Sequence, residues 1–229
     1  MSTFEIDAAL LWQQILCLDR AKLFAGFESA AIDRPHGFDR LPQPGFVGNR
    51  YRLDDGIVLV GKNPANGGDG MSPGDIRQYQ LLKALCDATA DNVYPAFRHL
   101  MAALGTTVMP CWPIVQVVVT PLLNGLRLSL DDVAYINLCK FRTSDMPPRG
   151  LLKRSWPVTL QQIELLRPSA IVALGDGTHG ELLRHYNGGV RVFRIQRVRR
   201  DTRLPPQGKR DIEQIVTALR TGVSTVDFP

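Results

Sequence analysis

An alternation of short apolar runs with longer stretches of helical periodicity constrains the fold of this chain more than any other feature. Each run is rich in β-branched residues and is apolar at nearly every position, which is typical of strands covered on both faces. Strands that alternate with helices predict a mainly parallel sheet with helices on both sides. We therefore predict an α/β fold whose central sheet has four strands, at residues 56–60, 133–138, 169–175 and 190–195.

The segments between these runs predict the helices and loops. A stretch rich in proline and glycine, residues 34–51, is typical of an ordered loop. Residues 112–123 leave two alternatives open, because such an apolar run fits either a strand or a buried helix. No repeat or linker divides the chain, so we predict one domain over residues 1–229. Helices are predicted at residues 4–31 (one or two helices), from near residue 73, and at 94–104, 156–168, 177–186 and 209–220.

The composition is that of an ordinary globular protein, with 45% apolar and 21% charged residues. The N-terminal stretch has acidic residues before its apolar part and lacks the basic start of a signal peptide. No uninterrupted apolar stretch approaches the roughly 18 residues that a membrane-spanning helix needs. We therefore expect a cytoplasmic protein that does not enter a membrane.

The four cysteines lie far apart in the sequence, and none forms a C-x-x-C pair. Their spacing does not predict a compact metal site, and free buried thiols are the usual alternative. We expect a protein without a metal or another cofactor. The cysteines are Cys17, Cys86, Cys111 and Cys139.

Positive charge is concentrated after the last predicted strand. Residues 191–210 carry seven arginines and one lysine against one aspartate, a net charge of +7 in a chain whose total is +5. Such a segment favours a polyanionic partner such as nucleic acid, and a solvated basic loop without a partner is the alternative. The arginines that we predict to contact DNA are Arg197, Arg199, Arg200 and Arg203.

The loop that follows the first predicted strand has a composition that suits an active site. Gly61 and Pro64 favour a sharp turn that brings backbone N–H groups to the end of the strand. Asn63, between them, has an amide that can hold a water molecule in place, although it is not a strong base. Lys62 either contacts phosphate or points to solvent. Turn residues of this kind also occur in loops with no function, so an ordinary turn is the alternative.

Asn137 ends the second predicted strand within an otherwise apolar stretch. Its amide either bonds to neighbouring backbone or recognises a base. Uracil offers an N–H donor next to a carbonyl acceptor, and one asparagine amide supplies the complementary acceptor and donor. Cytosine offers the reverse pattern and would leave buried groups unpaired. Lys140 and Arg142, just beyond, are predicted to contact phosphates.

Three segments together resemble the uracil-DNA glycosylase superfamily. VLVGKNPANGG (58–68) is similar to the G-x-N-P-G loop of the single-strand-selective and mismatch-specific branches. YINLCKFRT (135–143) is similar to the strand-end Asn, Lys and Arg of the thermostable iron–sulfur branch. LLRPSAIVALGDGTH (165–179) resembles the P-x-x-I-x-x-L-G strand of the superfamily core.

The resemblance implies a three-layer α/β/α domain that flips a nucleotide out of DNA and hydrolyses its N-glycosidic bond. Asn63 matches the asparagine that positions water, and Asn137 matches the one that reads the pyrimidine. Gly61, Lys62, Pro64 and Ala65 match the substrate-binding loop, with Ala65 where the family motif has glycine. We expect a monomer that acts on DNA containing uracil or a related damaged base.

Two further features, besides Ala65, depart from the family patterns. The last loop of the family usually carries a histidine, whereas this chain has IQRVRRDTRLPP there. A catalytically inactive nucleic-acid-binding relative is therefore the alternative function, and enzymatic activity stays open. The iron–sulfur branch has a cysteine where this chain has Phe141, so the sequence predicts no cluster.

Overall fold

A mixed sheet of five strands forms the centre of the protein. The computed structural model describes residues 3–32, 40–64, 73–144, 146–197 and 203–221. The strand order is β1-β3-β2-β4-β5; β1 is antiparallel to β3, and the other neighbours are parallel. The strands are β1 (Phe46–Val47), β2 (Ile57–Gly61), β3 (Val133–Asn137), β4 (Ala170–Leu174) and β5 (Arg191–Ile195).

The four predicted strands are confirmed as β2 to β5, but the prediction of a four-stranded sheet is wrong by one strand. The additional strand, β1, lies within residues 34–51, which we predicted to be loop. It is two residues long, too short for an apolar alternation to be visible in the sequence. Gly45 precedes it with a φ of 110°, where an added Cβ would collide with the carbonyl oxygen of Tyr135.

Eight α-helices connect and flank the strands in the described part of the chain. Every predicted helix is present. The open segment 112–123 is helical, with a π-helical turn at Val115–Val119 that continues into α5. The helices are α1 (Thr3–Leu16), α2 (Arg20–Phe24), α3 (Pro73–Cys86), α4 (Val93–Ala103), α5 (Thr120–Leu126), α6 (Arg149–Leu166), α7 (Asp176–His185) and α8 (Pro206–Thr221).

Helix α6 is longer than predicted. The sequence indicated a start at residue 156, because proline favours the first turn of a helix. In the structure α6 begins at Arg149 and Pro157 lies inside it. The helix ends as predicted, since Arg167 adopts a left-handed conformation and Pro168 cannot continue the helix.

The three central strands carry the hydrophobic core. Every residue of β2, β3 and β4 is buried, as expected for strands covered on both faces. Helix α6 contacts β3, α7 contacts β4 and β5, and α8 contacts β5 and α5. The fold is thus α/β with a mixed sheet, and it is compatible with three layers.

The order of the strands places a crevice at the carboxyl end of β2. The chain leaves β2 to reach β3 on one side, and it then crosses β2 to reach β4 on the other. Because parallel crossovers are right-handed, the connection after β2 lies on one face of the sheet, and those after β3 and β4 lie on the opposite face. Ligands in such sheets bind where neighbouring connections diverge.

No single helix of the described ranges is long and apolar enough to cross a membrane. One pair of consecutive helical segments, Val93–Cys111 and Val115–Leu126, has the length and composition of a membrane-spanning helix, but the two segments are bent by 86° relative to each other.

Candidate functional site

Gly61 and Asn137 are paired at the carboxyl ends of β2 and β3. The pairing continues beyond the strands, because the N–H groups of Leu138 and Cys139 donate to the carbonyls of Gly61 and Lys62, each at 2.9 Å. A Cβ added to Gly61 would collide with Oδ1 of Asn137. The site therefore requires glycine at position 61, because the Asn137 side chain folds directly over it.

Three buried amides line one narrow cleft beside this pair, which we term the amide slot. They are Gln43, Gln78 and Asn137, whose exposed fractions are 6%, 3% and 5%. Nε2 of Gln43, Oε1 of Gln78 and Oδ1 of Asn137 have no hydrogen-bond partner among the described residues. Buried polar atoms are normally paired, so three unpaired atoms in one cleft indicate a place for a polar ligand.

The segment that carries Gln43 is held firmly. The backbone N–H of Gln43 donates to the carbonyl of Lys140 at 2.6 Å, which extends the sheet pairing past β1. The Gln162 amide donates to the carbonyl of Pro44 at 2.6 Å, and the Trp12 indole donates to that of Gly45 at 3.1 Å. The position of Gln43 in the amide slot is therefore set by contacts from three directions.

Aromatic rings complete the amide slot. Phe46, Trp112 and Tyr135 line it, and the Trp112 and Tyr135 rings meet edge to face with centroids 5.9 Å apart. The cleft has an empty volume of about 310 Å³, including its open mouth, and its enclosed part holds about one water molecule. A nucleobase would enter only with a movement of the lining side chains.

Asn63 lies two residues beyond Gly61 and is fixed by its amide nitrogen. Nδ2 donates to Oγ1 of Thr143 at 2.9 Å and to the carbonyl of Pro64 at 3.0 Å. With the nitrogen engaged, Oδ1 is left as the acceptor, since no described residue donates to it. Thr143 is itself positioned by a bridge to Ala31. The Asn63 amide is thus held by its nitrogen, with Oδ1 left as an acceptor.

The prediction that Arg142 contacts a phosphate is wrong for this structure. Arg142 is 8% exposed and pairs with Asp75 in the first turn of α3, with Nη2 and Oδ1 2.9 Å apart. The pair connects the loop after β3 to the start of α3. Arg142 therefore anchors the start of α3, the first described helix after β2.

The prediction for Lys140 is also wrong, because its side chain is completely buried. Nζ donates to the backbone carbonyl of Asn137. Burial lowers the pKa of Lys140 to about 7, and the neighbouring Cys139 thiol opposes this shift. A lysine in this position supports the strand end that carries Asn137 and is not available to DNA.

Lys62 lies on the opposite side of the sheet from the amide slot. Its Nζ is 2.8 Å from the position that a Cβ of Gly177, in the first turn of α7, would take. Burial lowers the pKa of Lys62; Glu181 raises it, and Arg149 and Arg197 lower it further. We term Lys62, Arg149 and Arg197 the cationic cluster.

One buried carboxylate, that of Glu181, lies beside Arg149 and Lys62 of the cationic cluster. Glu181 accepts from Arg184 at 2.6 Å and lies 3.9 Å from Nε of Arg149. Arg197 donates through Nε to the carbonyl of Leu174 at the end of β4, at 2.9 Å. The chain segments that follow β2, β4 and β5 thus meet at Lys62, Gly177 and Arg197.

Of the remaining predicted site residues, two lie within the described residues and three do not. Pro64 is buried at the end of the β2 turn, and Arg203 is exposed just before α8. Ala65, Arg199 and Arg200 lie outside the described residues. No group of three or more His, Cys, Asp or Glu side chains in the described ranges could hold a metal ion.

Two cysteines that are distant in the sequence are close in space. Burial raises the pKa of the Cys86 thiol, and the adjacent thiol of Cys17 raises it further. Both are free thiols, Cys17 exposed and Cys86 half-buried.

Sequence reasoning missed four residues of the amide slot: Gln43, Gln78, Trp112 and Tyr135. Gln43 lies in a segment assigned to loop, and Gln78 is one polar residue of an amphipathic helix, so neither has a local signal. Nothing in the sequence distinguishes Trp112 and Tyr135 from ordinary packing residues. A buried glutamine indicates a binding site only once the structure shows that an atom of its amide has no hydrogen-bond partner.

Comparison with known proteins adds no identification, since no protein-family profile and no curated protein matches this chain.

Proposed function

We propose that this protein is a uracil-DNA glycosylase-like repair enzyme, which hydrolyses the N-glycosidic bond of uracil or a related damaged base. One observation carries the proposal. The buried, unpaired Oδ1 of Asn137 lies against Gly61 at the carboxyl edge of the sheet, and Asn63 follows two residues later. A base-reading amide next to a water-positioning amide is the arrangement that this reaction needs.

The chemistry follows from the weak basicity of the asparagine. An amide cannot remove a proton from water, so the bond to the base must break largely before water attacks. The sugar then develops oxocarbenium character, and the base leaves as an anion. Asn63 contributes by holding the attacking water with Oδ1, while Nδ2 stays bonded to Thr143 and Pro64. Such a fixed acceptor acts by positioning the nucleophile.

The cationic cluster supports a nucleic-acid substrate. It lies at the same edge of the sheet as Asn137 but on the other face, and its Arg149 side chain is 83% exposed. Exposed arginines suit phosphate oxygens, because guanidinium groups bind them in bidentate fashion. A strand bound there would have its backbone beside the site and one nucleotide turned towards it. Flipping costs a few kcal/mol, which contacts in the pocket must offset.

The test is an excision assay with single- and double-stranded oligonucleotides that carry uracil, hypoxanthine, xanthine or a mismatch. We expect abasic sites, detected by alkaline strand cleavage, with at least one of these bases. The assay needs no cofactor, so EDTA should leave the rate unchanged.

Asn137→Ala sharpens this test. The variant should lose discrimination between uracil and cytosine, because the paired donor and acceptor of one amide are removed together. Asn124→Ala, an exposed asparagine on α5, is the matched control. Equal loss in both variants would assign the effect to a general change of the protein.

A second candidate function is DNA binding without catalysis. The absence of histidine from the loop after β5 favours it, because that loop in the family donates to the leaving base. Binding of DNA with no excision across the whole lesion panel would establish this alternative and would remove Asn63 from any catalytic role.

A further inference from the structure

The fold brings the thiols of Cys17 and Cys86 together, although the two residues lie far apart in the sequence. Cys17 directly follows α1, and Cys86 is the last residue of α3. The two helices pack against each other, and the two thiols lie within hydrogen-bonding reach. Thiols this close can be joined by a disulfide when an oxidant accepts two electrons from them.

A separate contact holds the backbone around Cys86 against the end of α1. Gln13 lies one helical turn before Cys17, and its Nε2 donates to the carbonyls of Leu85 at 3.2 Å and Ala88 at 2.7 Å. These two carbonyls flank Cys86 in the sequence. The approach of the two thiols is therefore fixed by packing and by backbone hydrogen bonds, and it does not depend on the cysteine side chains alone.

We propose that Cys17 and Cys86 are a redox-sensitive dithiol, which a peroxide oxidises to a reversible disulfide that fastens α1 to α3. This inference goes beyond the proposed function and is independent of it, because no step of it involves DNA.

The exposure of the two thiols assigns their order of reaction. Cys17 is exposed and meets the oxidant, whereas Cys86 is half-buried and burial raises its pKa. The Cys17 sulfur attacks a peroxide oxygen, the O–O bond breaks, and a sulfenic acid and one water are formed. The Cys86 sulfur then attacks the Cys17 sulfur, the S–S bond forms, and the S–O bond breaks. The oxygen leaves as a second water with the Cys86 proton.

The overall reaction is balanced. Two thiols and one hydrogen peroxide give one disulfide and two waters, and the peroxide takes up the two electrons that the sulfurs lose. A dithiol reductant reverses the crosslink by exchange. Because Cys86 lies next to the sulfenic acid, it should capture that group before a second peroxide carries it to the irreversible sulfinic acid.

The crosslink would join two helices that border the amide slot. Helix α3 carries Gln78, and Trp12 of α1 donates to the carbonyl of Gly45, next to the segment of Gln43. Oxidation turns residues 17–86 into one closed loop, which lowers the entropy of the unfolded chain. The oxidised protein should therefore be more stable than the reduced one.

The experiment treats the reduced full chain with hydrogen peroxide, alkylates the remaining thiols in denaturant, and measures intact mass and non-reduced peptides. We expect two of the four thiols to be lost, with Cys17 and Cys86 in one linked peptide, and dithiothreitol to restore both. A wild-type protein in which Cys17 reaches the sulfinic acid while Cys86 stays free would overturn the proposal.

Serine variants test the assignment of the two thiols. Cys86→Ser should form no crosslink and should leave a sulfenic acid on Cys17 that dimedone labels. Cys111→Ser is the matched control, because Cys111 is also exposed but its thiol donates to the carbonyl of Thr107 at 3.4 Å. It should form the internal crosslink as wild type does; loss of the crosslink in this variant would refute the pairing.

Thermal unfolding tests whether the crosslink fastens the helices. Peroxide should raise the Tm of the wild type by roughly 5–10 °C, and dithiothreitol should reverse the rise. The Tm of Cys17→Ser, a change at an exposed position, should not respond to peroxide. A crosslink confirmed by mass without a rise in Tm would overturn the claim that it fastens α1 to α3.

Discussion

Two regions at the carboxyl edge of the sheet differ in their chemistry. The amide slot is neutral and almost fully buried, with unpaired amide atoms and aromatic walls. The cationic cluster is charged and partly exposed, and the carboxylate of Glu181 lies beside Arg149 and Lys62. Neutral hydrogen bonds discriminate best where water is excluded, whereas phosphate binding needs charge that a polyanion can reach.

A single turn supplies residues to both regions. Successive residues of a strand point to opposite faces, and this alternation continues through the end of β2. Gly61 contacts Asn137 on one side, and Lys62 approaches Gly177 on the other. The turn thereby separates base recognition from backbone contact, and substitutions at adjacent positions should have effects of different kinds.

The largest expected effect belongs to Asn63→Ala. Loss of the group that holds the water should lower turnover about 10²-fold, the scale for one preorganised polar group. KM should change little, because the interaction is lost mainly in the transition state. Single-turnover excision kinetics on the best substrate of the panel measure both quantities.

Lys62→Met provides the comparison within the same turn. Because Lys62 belongs to the cationic cluster, its loss should raise KM for DNA and change turnover much less. An Asn63→Ala variant that behaves like Lys62→Met would show that the two faces of the turn are not separated.

Gly61→Ala should disrupt the amide slot by displacing the Asn137 side chain. The added Cβ would collide with Oδ1 of Asn137 and lie 2.7 Å from the Tyr135 hydroxyl. Overpacking of this kind costs about 1–3 kcal/mol of unfolding free energy, measurable by urea denaturation. The control is Gly180→Ala in α7, where an added Cβ has no neighbour within 4 Å. It should stabilise the protein by about 0.5–1 kcal/mol, since alanine is the better helix former; equal effects in both would contradict the close contact.

Lys140 should make stability depend on pH. The unfolded chain holds this proton up to a pKa near 10.5, whereas the folded chain releases it at about 7. Between these values the unfolded state binds more protons, so the unfolding free energy should rise with pH by about 1.4 kcal/mol per unit. The comparison is urea unfolding of wild type and Lys140→Met at pH 7, 8 and 9. A difference between the two proteins that is constant across this range would show that Lys140 stays charged when buried.

The smallest effect is expected from two arginines that follow β5 in the sequence, Arg197 and Arg203. Arg197→Ser with Arg203→Ser should reduce the salt slope of log K for duplex DNA by about 0.9 for each lost phosphate contact. Arg52→Ser with Arg220→Ser removes equal charge from exposed positions elsewhere. Salt titrations with equal slopes for the two double variants would exclude Arg197 and Arg203 from the DNA interface.

The strands could be predicted because a strand buried on both faces is apolar at nearly every position, as β2, β3 and β4 are. The internal contacts of Lys140 and Arg142, for which we had predicted phosphate contacts, could not be predicted from the sequence. A cation after a strand usually reaches solvent, but here the pairing with Gln43 extends the sheet over Lys140. Asn63 and Asn137 were identified from local sequence, whereas Gln43 and Gln78 join them only through tertiary packing.

The edges of the sheet bear on self-association of the protein. An unpaired edge strand is a template for pairing with another chain. One edge is β1, which is only two residues long; the other is β5, where Arg191 and Arg194 are only half-buried. Like charges placed opposite each other destabilise strand pairing, so the arginines of β5 disfavour pairing with the same strand of a second copy. Positive charge in a segment that favours a polyanionic partner can thus also keep the sheet from growing between molecules.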